Sequence, residues 1–166
     1  MRFSLLDRID EIKPGERITA VKTLSLAEEY LADHFPRFPV MPGVLMLEAM
    51  TQAGAWLVRA SEDFQHSMVV LKEAKNVKYG QFVEPGQTLQ VMAEIIGQTD
   101  DETTLKVRGT VGDRTTVGGR LVLERYNLAD REPCHAASDD IVRREMRALF
   151  ALLWRPNEEA AKPSEL

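Results

Sequence analysis

The chain has 166 residues, 44% of them hydrophobic and 28% charged, with a formal charge of −5 and a pI near 5.3. That suffices for one domain with a sizeable core plus an extension. The acidic balance argues against nucleic acid as the main partner, because phosphate recognition draws on clustered Lys and Arg. Cys134 is the only cysteine, so no intramolecular disulfide forms and a reducing compartment is expected. The N-terminus is charged by position 7 and has no apolar secretory core, and no stretch reaches the ~18 apolar residues of a membrane span. A cytoplasmic protein without a membrane span is the expectation.

Leu5 to Ile12 reads as a first strand, followed by a Lys-Pro-Gly-Glu turn at 13–16. Arg17 to Leu24 alternates polar and apolar residues as a half-buried strand does. Residues 25–42 read as an irregular loop holding Pro36, Pro39 and Pro42. Gly43 to about Arg59 is the only long helix candidate before residue 126, and its apolar residues run nearly all round it, as in a helix buried on most faces. Strand-like runs follow at 67–79, 88–98, 103–112 and 115–126, joined by short turns that suit antiparallel pairing.

This order, two strands, a buried helix and four strands, is satisfied by a sheet wrapped around one helix, an α+β architecture. Residues 127–138 read as a linker. Residues 139–154 read as a second helix with an apolar stripe at Val142, Met146, Leu149 and Leu153, and with Ser138 as its N-cap. Residues 155–166 read as a disordered tail. The organisation expected is a main domain over 1–126 and an extension over 127–166.

Chemistry concentrates at 33–52, DHFPRFPVMPGVLMLEAMTQ. Pro42 and Gly43 open the long helix, whose first backbone N–H groups lack intrahelical partners. Those donors and the helix dipole favour negative charge, and a glycine leaves room for a thioester or amide carbonyl to approach them. Glu48 stands among Leu45, Met46, Leu47, Ala49 and Met50. A carboxyl in such surroundings tends toward a raised pKa, which suits general acid/base work. Gln52 lies four residues further on the same helix face and is placed to orient it. His34, on the loop before the helix, is the natural base partner. The two meet within one subunit or across a dimer interface; spacing leaves both open. A surface or packing histidine and a glutamate paired with a lysine are the plain structural readings of the same residues. The histidines have no metal-ligand spacing, no G-x-S-x-G elbow is present, and Cys134 lies in the linker and reads as inert. No metal or cofactor is expected.

HFPRFPVMPGVLMLEAMTQ resembles the signature of the FabZ-type 3-hydroxyacyl-[acyl carrier protein] dehydratases, roughly GHFPGxPVMPGVLxxEAMAQ. NVKYGQFVEPGQTL at 76–89 is similar to that family's NVRFRRPVEPGDQL. The likeness spans about residues 5–126. It implies a hot-dog fold, a curved antiparallel sheet around one long helix. It implies His34 and Glu48 as catalytic residues contributed by different subunits of a homodimer, which in the family often assembles further into a hexamer. It also implies the Gly43 N–H as holder of the thioester carbonyl. The glutamate matches the FabZ type rather than the FabA type, which carries an aspartate there. The implied activity is dehydration of (3R)-3-hydroxyacyl thioesters on acyl carrier protein or CoA. The alternatives are a hot-dog thioesterase or a non-catalytic acyl-binding protein.

The chain departs from the pattern where Asp33 and Arg37 stand for glycines, where Gly80, Gln81 and Phe82 replace an Arg-Arg-Pro, and in its C-terminal helix. Lys72, Lys75 and Lys78 are candidates for replacement charge toward an acidic carrier protein. Leu45, Leu47 and Trp56 are candidates for the wall of an acyl tunnel.

Overall fold

The structure is a computed structural model and describes residues 3–155. Six strands form one antiparallel sheet: β1 (Arg8–Lys13), β2 (Arg17–Thr23), β3 (Met68–Tyr79), β4 (Thr88–Gln98), β5 (Glu102–Val111) and β6 (Arg114–Tyr126). Their order across the sheet is β1-β2-β4-β5-β6-β3. Side-chain alternation decides which face is dry. Ile18, Ala20, Leu89, Val91, Ala93, Leu105 and Val107 all point to one side and are buried. Bulges between Ile95 and Gly97, Leu71 and Glu73, and Lys75 and Lys78 interrupt the ladders and bend the sheet.

The long helix α2 (Gly43–Ser61) lies on that dry face. Met46, Ala49, Met50, Ala53, Leu57 and Val58 are its buried side. Gly54 brings it onto the sheet: a Cβ there would stand 2.5 Å from Leu105 Cδ1. The apolar sequence led us to expect burial all round, but Val44, Glu48, Gln52, Ala55 and Arg59 form a stripe that neither sheet nor loop covers fully. Their spacing of four, four, three and four residues keeps them on one face.

The six strands and the long helix stand within three residues of the expected positions. The loop before α2 contains a single helical turn, α1 (Tyr30–Asp33), not anticipated from its prolines. The C-terminal helix α3 covers Ala136–Leu153 and so starts earlier than expected. Ser138 is therefore inside the helix and not its cap; His135 holds the cap position and caps with no side-chain bond. The residue that docks this end is Asp139. Its buried carboxylate accepts hydrogen bonds from the Ser67 hydroxyl and from the backbone N–H groups of Leu128 and Ala129. Burial pushes this carboxyl up, but the bonds from Ser67, Ala129 and Leu128, with Arg143 nearby, outweigh it and hold the group below its ordinary value.

The expected apolar stripe faces the core. Leu153 is buried, Met146, Leu149 and Phe150 pack against it, and Phe150 stacks near Trp56 and Phe64 at 5.9 and 5.5 Å between ring centres. The expected tail at 155–166 falls, apart from Arg155, outside the described residues. No helix among the described residues is long and apolar enough to cross a membrane.

Candidate active site at the start of the long helix

Backbone bonds fix the proline-rich loop against the rest of the molecule. The His34 N–H donates to Tyr30 O at 3.2 Å, the Phe38 N–H to Phe35 O at 2.8 Å, and the Met41 N–H to Val83 O at 2.9 Å. The last bond ties the segment before α2 to the loop after β3. Phe35 takes up the sharp bend at φ 52°, a left-handed conformation that is strained for a bulky residue. Strain of this kind costs on the order of 1–3 kcal/mol and collects at functional sites.

The result is a small cavity of about 160 Å³ that brings His34 together with Gly43, with Met41, Tyr79, Gln81 and Phe82 among its walls. The imidazole is half-buried and has no hydrogen-bond partner among the described residues. Pro42 precedes the helix with ψ 136°, and the Leu45 and Met46 N–H groups both donate to its carbonyl. The Gly43 N–H lies ahead of those bonds and is one of the open donors of the helix end. Gly43 also makes room for a neighbour. A Cβ there would stand 2.9 Å from the Tyr79 ring, so its bareness serves packing as well as ligand approach.

Glu48 is not in this cavity. Five residues along a helix is about 140° of rotation, so the carboxylate leaves the Gly43 side and joins the open stripe. It is half-buried, and its Oε1 accepts from Gln52 Nε2 at 2.9 Å. Gln52 is fixed in turn by the N-terminal segment: its Oε1 accepts from the Leu5 N–H and its Nε2 donates to Phe3 O. The structure thus brings His34 to Gly43 and Glu48 to Gln52, as two pairs on different faces of one helix. Around them the surface is apolar and open, with Val44 69% exposed, Phe82 60% and Phe35 58%. Contiguous exposure of this kind marks an interaction surface.

The FabA-like domain model matches residues 1–124. The chain is 38% identical over 116 residues to the 3-hydroxyacyl-[acyl-carrier-protein] dehydratase FabZ of Levilactobacillus brevis, spanning 70% of this chain and 78% of that one. It is 38% identical over 125 residues to the FabZ of Geobacillus thermodenitrificans, spanning 74% and 80%. The chain belongs to the FabZ-type dehydratase family. Among solved structures it resembles a dehydratase heterocomplex, ApeI:P, from Xenorhabdus doucetiae, with TM-score 0.65 and 16% identity over 80% of this chain and 90% of that one. It also resembles a mutant thioesterase from Pseudomonas aeruginosa, with TM-score 0.58 and 16% identity over 73% and 81%. At such identities the likeness establishes the fold, which is the hot-dog fold, and nothing of the chemistry.

The departures of this FabZ-type chain can be placed. Neither Asp33 nor Arg37 has a positive φ, so the loop does not need the glycines it has lost. Both side chains are exposed, and no hydrogen bond or ion pair among the described residues joins Asp33 to His34. Gly80 follows from packing: a Cβ there would stand 2.6 Å from the backbone oxygen of Thr115, so this backbone excludes the arginine of the pattern. Of the three lysine candidates, Lys72 pairs with Glu102 and Lys75 with Glu73, which leaves Lys78 without an ion pair among the described residues. The Lys72 ammonium is raised above its ordinary value by its bond to Glu102.

Tyr79 and Phe82 as cavity walls escaped the sequence reading, although NVKYGQF was singled out, because strand pairing and not sequence spacing brings them to Gly43. Of the tunnel candidates, Leu45 and Leu47 are half-buried against the core, whereas Trp56 borders a second, larger cavity. Glu132, Cys134 and His135 bring three potential metal-binding atoms within 4.8 Å of one another on an exposed turn, well apart in the fold from His34. Its side chains are exposed or half-exposed, unlike the enclosed surroundings of structural metal sites.

Proposed function

We propose that this chain dehydrates (3R)-3-hydroxyacyl thioesters, carried on acyl carrier protein or CoA, to trans-2-enoyl thioesters in fatty acid or related lipid synthesis. The observation that carries this reading is the cavity joining the His34 imidazole, which has no hydrogen-bond partner among the described residues, to the open N-terminus of α2 at Gly43. His34 takes the C2 proton. The electrons move toward the thioester carbonyl, whose oxygen the Gly43 N–H stabilises as charge develops. They return to form the C2–C3 double bond as the C3–O bond breaks, and the leaving hydroxyl takes a proton from Glu48 and departs as water. The two residues then hold one proton too many and one too few, and transfer between them restores the enzyme. Gln52 holds the Glu48 carboxyl in place.

The 160 Å³ cavity is below the roughly 300–1,000 Å³ usual for a ligand site, and it lacks the acid. A homodimer resolves both points: a second copy, seated on the apolar surface around Val44, Phe35 and Phe82, brings its Glu48 opposite His34. Further assembly to a hexamer is compatible with this reading, as is a cytoplasmic location. On the same reading residues 1–126 are the catalytic hot-dog unit, and 127–166 an extension carrying α3.

The test is complementation. His34→Ala and Glu48→Gln are each assayed for hydration of a trans-2-enoyl thioester, then refolded together. With sites shared between subunits, random pairing restores roughly a quarter of wild-type activity from two inactive variants. No recovery, with wild-type protein active, places both residues in one subunit. No hydration by wild type, with free thiol released from acyl-CoA, replaces the reading with a thioesterase.

A further inference from the structure

One feature left unused is a cavity of about 360 Å³ between α2 and α3, bounded by Gln52, Ala55, Trp56, Val69, Met146 and Leu149. Gln52 connects it to the chemistry, because the amide that bonds Glu48 also forms one edge of this space. Ala55, the floor of the cavity, lies about 10 Å along the helix from Glu48, on the same face. The walls are mostly apolar. Arg59, which also borders the cavity, is turned to the structure: it donates to the carbonyls of His66 and Ser67, and burial lowers it to about 10. The far wall, Met146 and Leu149, belongs to a helix that begins twelve residues beyond the end of the family match at 124.

We propose that this cavity receives the distal part of the acyl chain, and that Met146 and Leu149 of α3 set which chain lengths are accepted. The inference rests on the dehydratase reading. In a shared site, substrate held by His34 and Gly43 of one subunit meets the Glu48 of the other, and its chain continues along that second subunit's open stripe into the second subunit's cavity. The helix added to the family core thus selects substrate and contributes nothing to the reacting end. Methionine and leucine suit such a wall, being apolar and adaptable in shape.

The experiment compares kcat/KM for trans-2-decenoyl and crotonyl thioesters in wild type, Met146→Trp, Met146→Ala and Ala55→Leu, each checked by circular dichroism and melting temperature. Filling the space from α3 with Met146→Trp, or from α2 with Ala55→Leu, lowers the decenoyl-to-crotonyl ratio by about tenfold or more, and Met146→Ala raises it. The two filling variants approach from opposite walls, so misfolding of one leaves the other to decide. A ratio that stays constant across all folded variants, with wild type active on crotonyl thioester, overturns the cavity assignment and leaves the dehydratase intact. Wild type inactive on both substrates overturns the dehydratase reading itself.

Discussion

The two sides of α2 have similar apolar sequences and opposite tasks. One side, centred on Gly54, lies so close to the sheet that there is no room for a Cβ beside Leu105. The other, Val44–Glu48–Gln52–Ala55–Arg59, is left partly open by the sheet and loops and carries the acid, the amide that holds it, and the edge of the larger cavity. Within one helix, a dry packed face fixes position and an open face presents the candidate site residues. The difference teaches that an apolar neighbourhood in sequence does not imply burial in the monomer. Here the apolar neighbours of Glu48 accompany an open stripe on the helix.

The largest effects expected from breaking this division are on activity alone. Glu48→Gln and His34→Ala should each lower kcat for enoyl thioester hydration by about 10²–10⁴-fold, the range of a lost general acid or base, with the melting temperature nearly unchanged. A comparable loss of stability would mean that the open stripe is structural. On the packed face the opposite holds. Gly54→Val should destabilise the fold by about 1–3 kcal/mol in denaturant unfolding, the usual range for overpacking, because Leu105 has to move.

Smaller effects belong to the attachment of α3. Asp139→Asn removes the buried charge and turns one of its two accepting oxygens into an N–H donor, and amide exchange in Ala136–Leu153 should quicken before the sheet is affected. The same group gives a pH signature. Its folded pKa lies below the unfolded value of about 3.9, so its stabilisation is fully present above that value and is lost as pH falls through the folded pKa. Acid unfolding should therefore begin at α3 in wild type, and lose this step in Asp139→Asn. The smallest effect is expected of Arg37→Gly. Because Arg37 has no positive φ, restoring the glycine of the family pattern should shift stability by no more than about 1 kcal/mol, with hydration activity largely retained. A large gain in activity would instead make Arg37 a brake on the reaction.

Much of this was legible in the chain. Alternation marked β2 because one face of an antiparallel sheet is dry, turn residues marked off the later strands, and the Pro-Gly pair at 42–43 marked the helix start because proline suits a helix boundary and glycine a close approach. His34, Gly43, Glu48 and Gln52 were all singled out as candidates from residue type and local spacing. What escaped depends on contacts between distant segments. Ser138 has the right type for a cap, yet tertiary docking through Ser67 and the turn at 128–129 made Asp139 the anchor and started α3 earlier. The sequence lacks the family's glycines at 33 and 37, but the positive φ falls on Phe35.

The sequence by itself determined the alternation of dry and wet faces, the long helix α2 and the candidates for acid, base and donor, because these follow from side-chain type and from periods of two and 3.6 residues. Only the tertiary structure decided that His34 shares a cavity with Gly43 and not with Glu48, and that α3 closes a second cavity beside Gln52. Those outcomes depend on how far α2 rotates between residues 43 and 48 relative to a sheet built from strands distant in sequence. No local pattern encodes that relation.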